Sequence, residues 1–392
     1  MKKIGAYVHI PFCKQKCYYC DFLSFANKEK YEEKYIESLI KEIRNFKQKN
    51  KDLEFDTIYI GGGTPSYIAS NNVKKILQEL MKNNDFKETK EITMEVNPGT
   101  LYGKINNAQH KGDYLEKKMI EYKKMGVNRL SIGLQSTNNQ LLKNIGRIHS
   151  FEDFLETYQT ARKIGFGNIN VDLMIGLPNQ TFNDIKNELE EIIKLESNHI
   201  SVYSLILEEN TKLEQMVESK QVTLPDEELE RHMYWYVKNF LELKGYKHYE
   251  ISNFAKAGFE SKHNKACWEQ KEYIGFGLGA HSYIDNVRFS NIGDLRKYID
   301  NLSMSNFEGN IIIHEVQDLE MREKEYMLLG LRKIDGVNLQ DFENKFGANP
   351  IYLFRKELEK LSKDGLIKVD GDKIMLTNKG IDFANIVWEE FV

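Results

Sequence analysis

Three of the chain's four cysteines, Cys13, Cys17 and Cys20, fall within eight residues in the spacing C-x3-C-x2-C, while Cys267 stands about 250 positions away. Three cysteines cannot pair among themselves, and a chain of 392 residues can build a core without cross-links, so a disulfide framework explains the clustering poorly. Zinc is a competing reading, since thiolates and a histidine make a common tetrahedral set, but structural zinc usually draws its ligands from two separated pairs. Iron-sulfur clusters take theirs from one tight loop. A four-iron cube held by three thiolates keeps one iron open to another molecule. Phe12, Tyr18, Tyr19 and Phe22 surround the cysteines and suit a cluster shielded from water, although ordinary packing would use them equally well.

Further residues of unusual type follow at intervals. The run Gly61-Gly62-Gly63-Thr64-Pro65 comes directly after a β-branched stretch, where glycines permit close backbone approach and positive φ. Glu95 closes a short apolar run, and Gln135, Arg147 and Asp172 are further polar candidates. A guanidinium such as Arg147 suits bidentate recognition of a carboxylate. Asp172 interrupts the apolar residues 169–175, where a carboxylate is costly to bury without a partner. Tyr7 and His9 are two apart on a strand-like run and share a face.

The elements that must position these residues alternate through the first two-thirds of the chain. Strand-like runs at 4–10, 57–61, 92–96, 129–134, 168–175 and 199–205 are separated by helix-period segments at 28–48, 71–82, 115–124, 151–164 and 182–195. That order predicts a parallel α/β sheet with right-handed crossovers. The unusual residues sit at the C-terminal ends of successive strands, the face on which (β/α) barrels collect their chemistry. Residues 100–113 read as a polar surface insertion containing Gly103, Asn106, Asn107, His110 and Gly112. Beyond 226–243, a helix, a strand-like stretch at 246–252 leads into loop-rich 254–282, which holds His263, Cys267, Trp268 and a glycine-rich run ending in His281. From about 320, three helical segments and a hairpin resemble a winged helix. Twelve basic against 14 acidic residues in that unit argue against DNA binding.

Composition narrows the class. Fifty-five basic and 59 acidic residues leave a net charge of −4, which disfavours a general nucleic-acid binder. No apolar run approaches the ~20 residues of a membrane span, the opening lacks a signal-peptide pattern, and the few cysteines suit a reduced, cytoplasmic compartment.

Taken together, His9-x-Pro11-Phe12-Cys13, the Gly61 run, Glu95-Val96-Asn97-Pro98, the stretch from Arg129 to Ser136, that from Asp172 to Pro178 and that from Gly277 to Ser282 resemble the radical S-adenosylmethionine (SAM) superfamily. Within it the chain is similar, essentially end to end, to the oxygen-independent coproporphyrinogen III oxidase group. The resemblance implies a partial (β/α)6 barrel at 1–225, a barrel extension at 226–319 and a winged-helix-like α+β domain at 320–392. It implies a [4Fe-4S] cluster on Cys13, Cys17 and Cys20, and SAM held by Tyr7, Tyr19, Gly62, Gly63, Thr64, Glu95, Gln135, Arg147 and Asp172. It further implies an electron donor such as flavodoxin or ferredoxin.

Two branches of that group differ. The decarboxylases carry a fourth cysteine two positions after the third and a longer N-terminal arm; here Phe22 holds that position and 12 residues precede Cys13. Both features resemble the HemW-like heme-chaperone branch, which implies heme, transfer to a heme-acceptor protein, and leaves open a homodimer and peripheral membrane contact. That branch's H-N-x-x-Y-W motif reads His263-Asn264-Lys265-Ala266-Cys267-Trp268, with cysteine for tyrosine. His263, Cys267 and Trp268 are the implied heme contacts, the ligating side chain being open, and His281 is a second candidate. The alternative activity is oxidative decarboxylation of porphyrinogen propionates.

Overall fold

The structure, a computed structural model, describes residues 1–82, 89–101 and 111–392. Six strands, β1 (Lys2–Ile10), β2 (Leu53–Gly62), β3 (Glu91–Val96), β4 (Arg129–Gln135), β5 (Asn168–Ile175) and β6 (His199–Ser204), pair in that order and all in parallel. The long helices between them are α1 (Glu32–Lys49), α2 (Ser70–Met81), α3 (Lys111–Lys124), α4 (Phe151–Ile164) and α5 (Phe182–Ile193). Capping boxes at Ser150 and Thr181 start α4 and α5.

Alternation along the strands decides the two faces. Ala6, Val8, Ile10, Ile58, Ile60, Met94, Leu130, Ile132, Ile169 and Val171 are buried in the core shared with the helices. The residues between them are polar, and they bond to one another on the opposite, concave face: Tyr59 to Glu95, Ser131 to Asp172, and Asn170 to His199. The inside of this barrel is therefore a hydrogen-bonding surface rather than an apolar plug.

Residues after 226 complete both edges of the same sheet. Helix α6 (Glu227–Leu243) leads to β7 (Lys247–Glu250) and β8 (Asn253–Ala255), which extend the sheet antiparallel beyond β6. Helix α7 (Lys262–Trp268) then crosses to β9 (Tyr273–Phe276), which pairs in parallel with β1. The antiparallel strands β10 (His281–Ile284), β11 (Val287–Asn291) and, after α8 (Leu295–Ser303), β12 (Ile311–Val316) finish that side. The order is β12-β11-β10-β9-β1-β2-β3-β4-β5-β6-β8-β7. The stretch 254–282 is thus not a loop, as expected from its glycines and mixed polarity, but a short helix between strands. The apolar residues of 226–319, among them Met233, Phe254, Phe276 and Tyr298, join the barrel's own core.

Residues 319–391 have a second core, built on Met327, Leu331, Phe342, Ile374 and Val387. Here β13 (Val337–Asn338), β14 (Ile367–Asp370) and β15 (Lys373–Leu376) form a sheet in the order β13-β15-β14, and two short helices follow the expected hairpin. Of the anticipated polar insertion, residues 102–110, with Gly103, Asn106, Asn107 and His110, lie outside the described residues; Gly112 already belongs to α3. Among the described residues no helix is long and apolar enough to cross a membrane.

Candidate cluster and cofactor site

A cavity of about 410 Å³ opens at the C-terminal ends of the parallel strands. Cys13, Cys17 and Cys20 line it, and so do Tyr19, Gly62, Gly63, Thr64, Glu95, Gln135, Arg147 and Asp172. Every candidate for the cluster and for SAM is brought to this one space except Tyr7, which lies beneath it. The Tyr7 hydroxyl meets Nδ1 of His9 at 2.9 Å, and Nε2 of His9 meets the Leu23 carbonyl at 2.8 Å. Since a carbonyl only accepts, Nε2 carries the proton and Nδ1 accepts from Tyr7. His9 thereby ties the far end of the cysteine loop to the first strand.

The glycine run explains itself through close approach. Gly62 has φ of +109°, and a Cβ there would lie 2.5 Å from the His9 ring. At Gly63 it would meet the Ile10 carbonyl at 2.9 Å and Cys13 Sγ at 3.0 Å. Thr64 Oγ1 donates to the same sulfur at 3.4 Å. All four cysteines are free; burial pushes the Cys13 thiol up and the Cys20 thiol up to about 11, so it is a metal ion that would have to draw off these protons.

The polar wall is held under tension by burial. Glu95 accepts from the Tyr59 hydroxyl at 2.9 Å and from the Gly62 amide at 3.1 Å, yet burial, with Asp172 adding to it, raises its carboxyl to about 7. Asp172 accepts from Asn170 at 2.7 Å and Ser131 at 3.1 Å, and burial raises its pKa as well. Arg147 donates to the Gly133 carbonyl at 2.9 Å and reaches Cys17 Sγ at 3.6 Å; burial opposes its charge, yet its pKa is raised and the guanidinium stays ionised. Gln135 has φ of +71°, a left-handed backbone rare outside glycine, at the bulged end of β4.

The residues present fit a cluster with a polar ligand on it. Three thiols rim one cavity, and among the described residues Nε of Arg147 and Oδ1 of Asn97, both at the cavity, are buried without a hydrogen-bond partner. Such atoms await a partner of complementary polarity. Tyr59, Ser131, Met174 and Tyr203 also line the space and were not anticipated; inward alternation from Gly61 and Gly133 was the signal for Tyr59 and Ser131.

His263, Cys267 and Trp268 do not line this cavity. They sit on α7, which docks toward the N-terminal ends of β2 and β3. Glu91 caps that helix by accepting the amides of Lys262 (3.0 Å) and His263 (3.2 Å), while Nδ1 of His263 meets Thr57 Oγ1 at 2.9 Å and its ring packs on Tyr59. Burial pushes the His263 imidazole down to about 4 and the Cys267 thiol up to about 11. Trp268 turns instead to Arg332, whose guanidinium lies 4.6 Å from its ring centroid. The expected porphyrin-facing loop is thus a docked helix, with His263 only 7% exposed.

Comparison with known proteins extends this picture. Residues 7–192 match the radical SAM superfamily and residues 318–383 the HemN C-terminal domain. The chain is 37% identical over 391 residues to the heme chaperone HemW of Lactococcus lactis, covering 100% of this chain and 98% of that protein. It is 38% identical to the heme chaperone HemW of Bacillus subtilis, covering 99% of each. Among solved structures, the coproporphyrinogen III oxidase HemN from Escherichia coli, a radical SAM enzyme, superposes over 100% of this chain and 90% of its own with a TM-score of 0.81 at 22% identity.

Proposed function

Because the chain belongs to the heme chaperone HemW family of the radical SAM superfamily, we propose that it binds heme and passes it to acceptor hemoproteins. The superfamily implies a [4Fe-4S] cluster and SAM, and the three cysteines with the polar wall opposite are the residues that would hold them. When bound, such a cluster supplies an open iron and a source of single electrons. This chain's own residues do the rest: Glu95 and Asp172 receive hydroxyl or ammonium groups, Arg147 faces a carboxylate, and Tyr19 and the glycine run exclude water.

The observation that carries the chaperone reading is likeness along the whole length to proteins of that name. Phe22 supports it, since it stands 64% exposed at the cavity where the decarboxylases place a fourth cysteine. An electron donor and an acceptor protein are the partners this reading requires. Its test is anaerobic incubation of the cluster-loaded protein with coproporphyrinogen III, SAM and a reductant, alongside a heme titration. No protoporphyrinogen and a Soret shift are expected. Decarboxylated product without heme binding would move the chain to the enzyme branch.

A further inference from the structure

Of the nine histidines, five are buried with hydrogen-bonded rings, His9, His149, His199, His248 and His263, and His110 lies outside the described residues. His232 is exposed but stacks on Phe182 at 4.3 Å. The two others form a pair. His281 on β10 and His314 on β12 are both exposed, with ring centroids 5.2 Å apart and planes at 13°.

A defect in strand pairing builds this pair. Along β11, Arg288 faces Glu315 but Phe289 faces Ile313, so His314 is an extra residue without a cross-strand partner. Such a bulge re-aims a side chain. Here it lays His314 over Ser290, whose hydroxyl meets Nε2 at 2.8 Å, and against His281, which is paired with Ser290 from the other side. Among the described residues neither ring nitrogen of His281 has a hydrogen-bond partner. Burial, with His314 and Arg288 beside it, lowers its pKa, so the ring is neutral near pH 7 and its lone pair is available.

The surroundings suit a flat apolar ring with acidic arms. Ile312, 43% exposed, lies across from Ser290. Tyr283, two residues from His281 and on the same face of β10, is flanked by Arg288 and Arg322. Arg288 is committed to Glu325 at 2.5 Å, whereas Nε of Arg322 is buried without a hydrogen-bond partner among the described residues. A guanidinium with donors to spare matches a propionate.

Resting on the carrier reading above, we propose that His281, steadied by His314, is an axial ligand of the heme iron, with the macrocycle over Ile312 and a propionate on Arg322. The step is coordination alone: imidazole nitrogen replaces water on ferric iron, and no electron is transferred.

Ferric heme titrated into the full-length, cluster-loaded protein tests this by Soret difference spectra and electron spin resonance. Expected is heme affinity weakened roughly tenfold or more in H281A/H314A, with a changed iron spin state, and a smaller loss in R322A. Replacement by methionine, H281M, should keep binding but shift the spectrum to that of a thioether ligand. Unchanged binding and spin state in H281A/H314A, or loss confined to H263A, would overturn the inference while leaving the carrier reading intact. Failure of the unaltered protein to bind heme would overturn both. Unchanged circular dichroism and SAM binding show that each variant is folded.

Discussion

Glu95 sits in an environment at odds with its charge. Its carboxyl titrates near 7 in the fold against an ordinary 4.5, because burial penalises the anion more than Tyr59 and Gly62 stabilise it. A carboxyl raised in this way adds stability below pH 4.5 that is lost as pH rises through 7. We predict that Glu95 contributes a fall in the melting temperature of the cofactor-free protein over that window and that Glu95→Gln makes the fall shallower, the other raised carboxyls, Glu188 among them, supplying the remainder. Binding of SAM should run the other way, strengthening as Glu95 ionises, and E95Q should flatten that profile in calorimetric titrations; a profile identical to the unaltered protein's would remove Glu95 from the binding wall. A second prediction concerns Gly62. With φ of +109° and the His9 ring in the way of any Cβ, Gly62→Ala should cost about 1–3 kcal/mol from backbone strain alone and lower iron content after reconstitution. Equal iron loading in the variant would mean that the loop tolerates displacement of His9.

At the scale of elements, the glycine-rich run before His281 proves to be a support for the cluster loop. Tyr35 of α1 donates to the His9 carbonyl at 2.7 Å and accepts from the Leu278 amide at 3.0 Å, and half-buried Glu42 receives the Gly277 amide at 3.0 Å and the Asn291 side chain at 2.6 Å. Tyr35→Phe strands both partners in a dry interior, for which we predict a loss of about 1–3 kcal/mol in urea unfolding. A cost below the error of the measurement would mean that water reaches the site. This support was not legible in the sequence, since a tyrosine and a glutamate at helical spacing look like any amphipathic helix. The six parallel strands were legible, because β-branched runs end at glycines, amides and acids. Strand β5 and helix α4 keep the expected bounds to the residue. Helix α7 escaped notice because its seven residues lack an apolar stripe and its start depends on Glu91, some 170 residues earlier. Tyr203 escaped for a similar reason: facing the cavity depends on how the sheet curls, which periodicity does not encode.

For the whole molecule, the three tryptophans mark one seam. Trp235 donates to Asp382 at 2.9 Å, and Trp268 and Trp388 flank the Arg332 guanidinium at 4.6 and 4.5 Å. Asp382 also accepts from Arg231 at 2.8 Å. Tryptophan emission should therefore report the docking of the C-terminal unit on the barrel. We predict that Asp382→Ala weakens that docking by about 1–3 kcal/mol, seen as a red shift at lower urea than the loss of helical signal. Coincident transitions in both proteins would show barrel and C-terminal unit to unfold as one.

The parallel pairing of Gly5 with Tyr273 and of Val8 with Phe276 has a temporal side. The strand that leads into the cysteine loop is translated first, yet one of its two neighbours emerges from the ribosome some 265 codons later. Until then its backbone groups on that flank lie open to any passing strand, the condition under which nascent chains aggregate. Iron and sulfide delivered before residue 276 has been made would meet a loop whose footing is half built, so maturation of the centre belongs after that strand has joined the sheet.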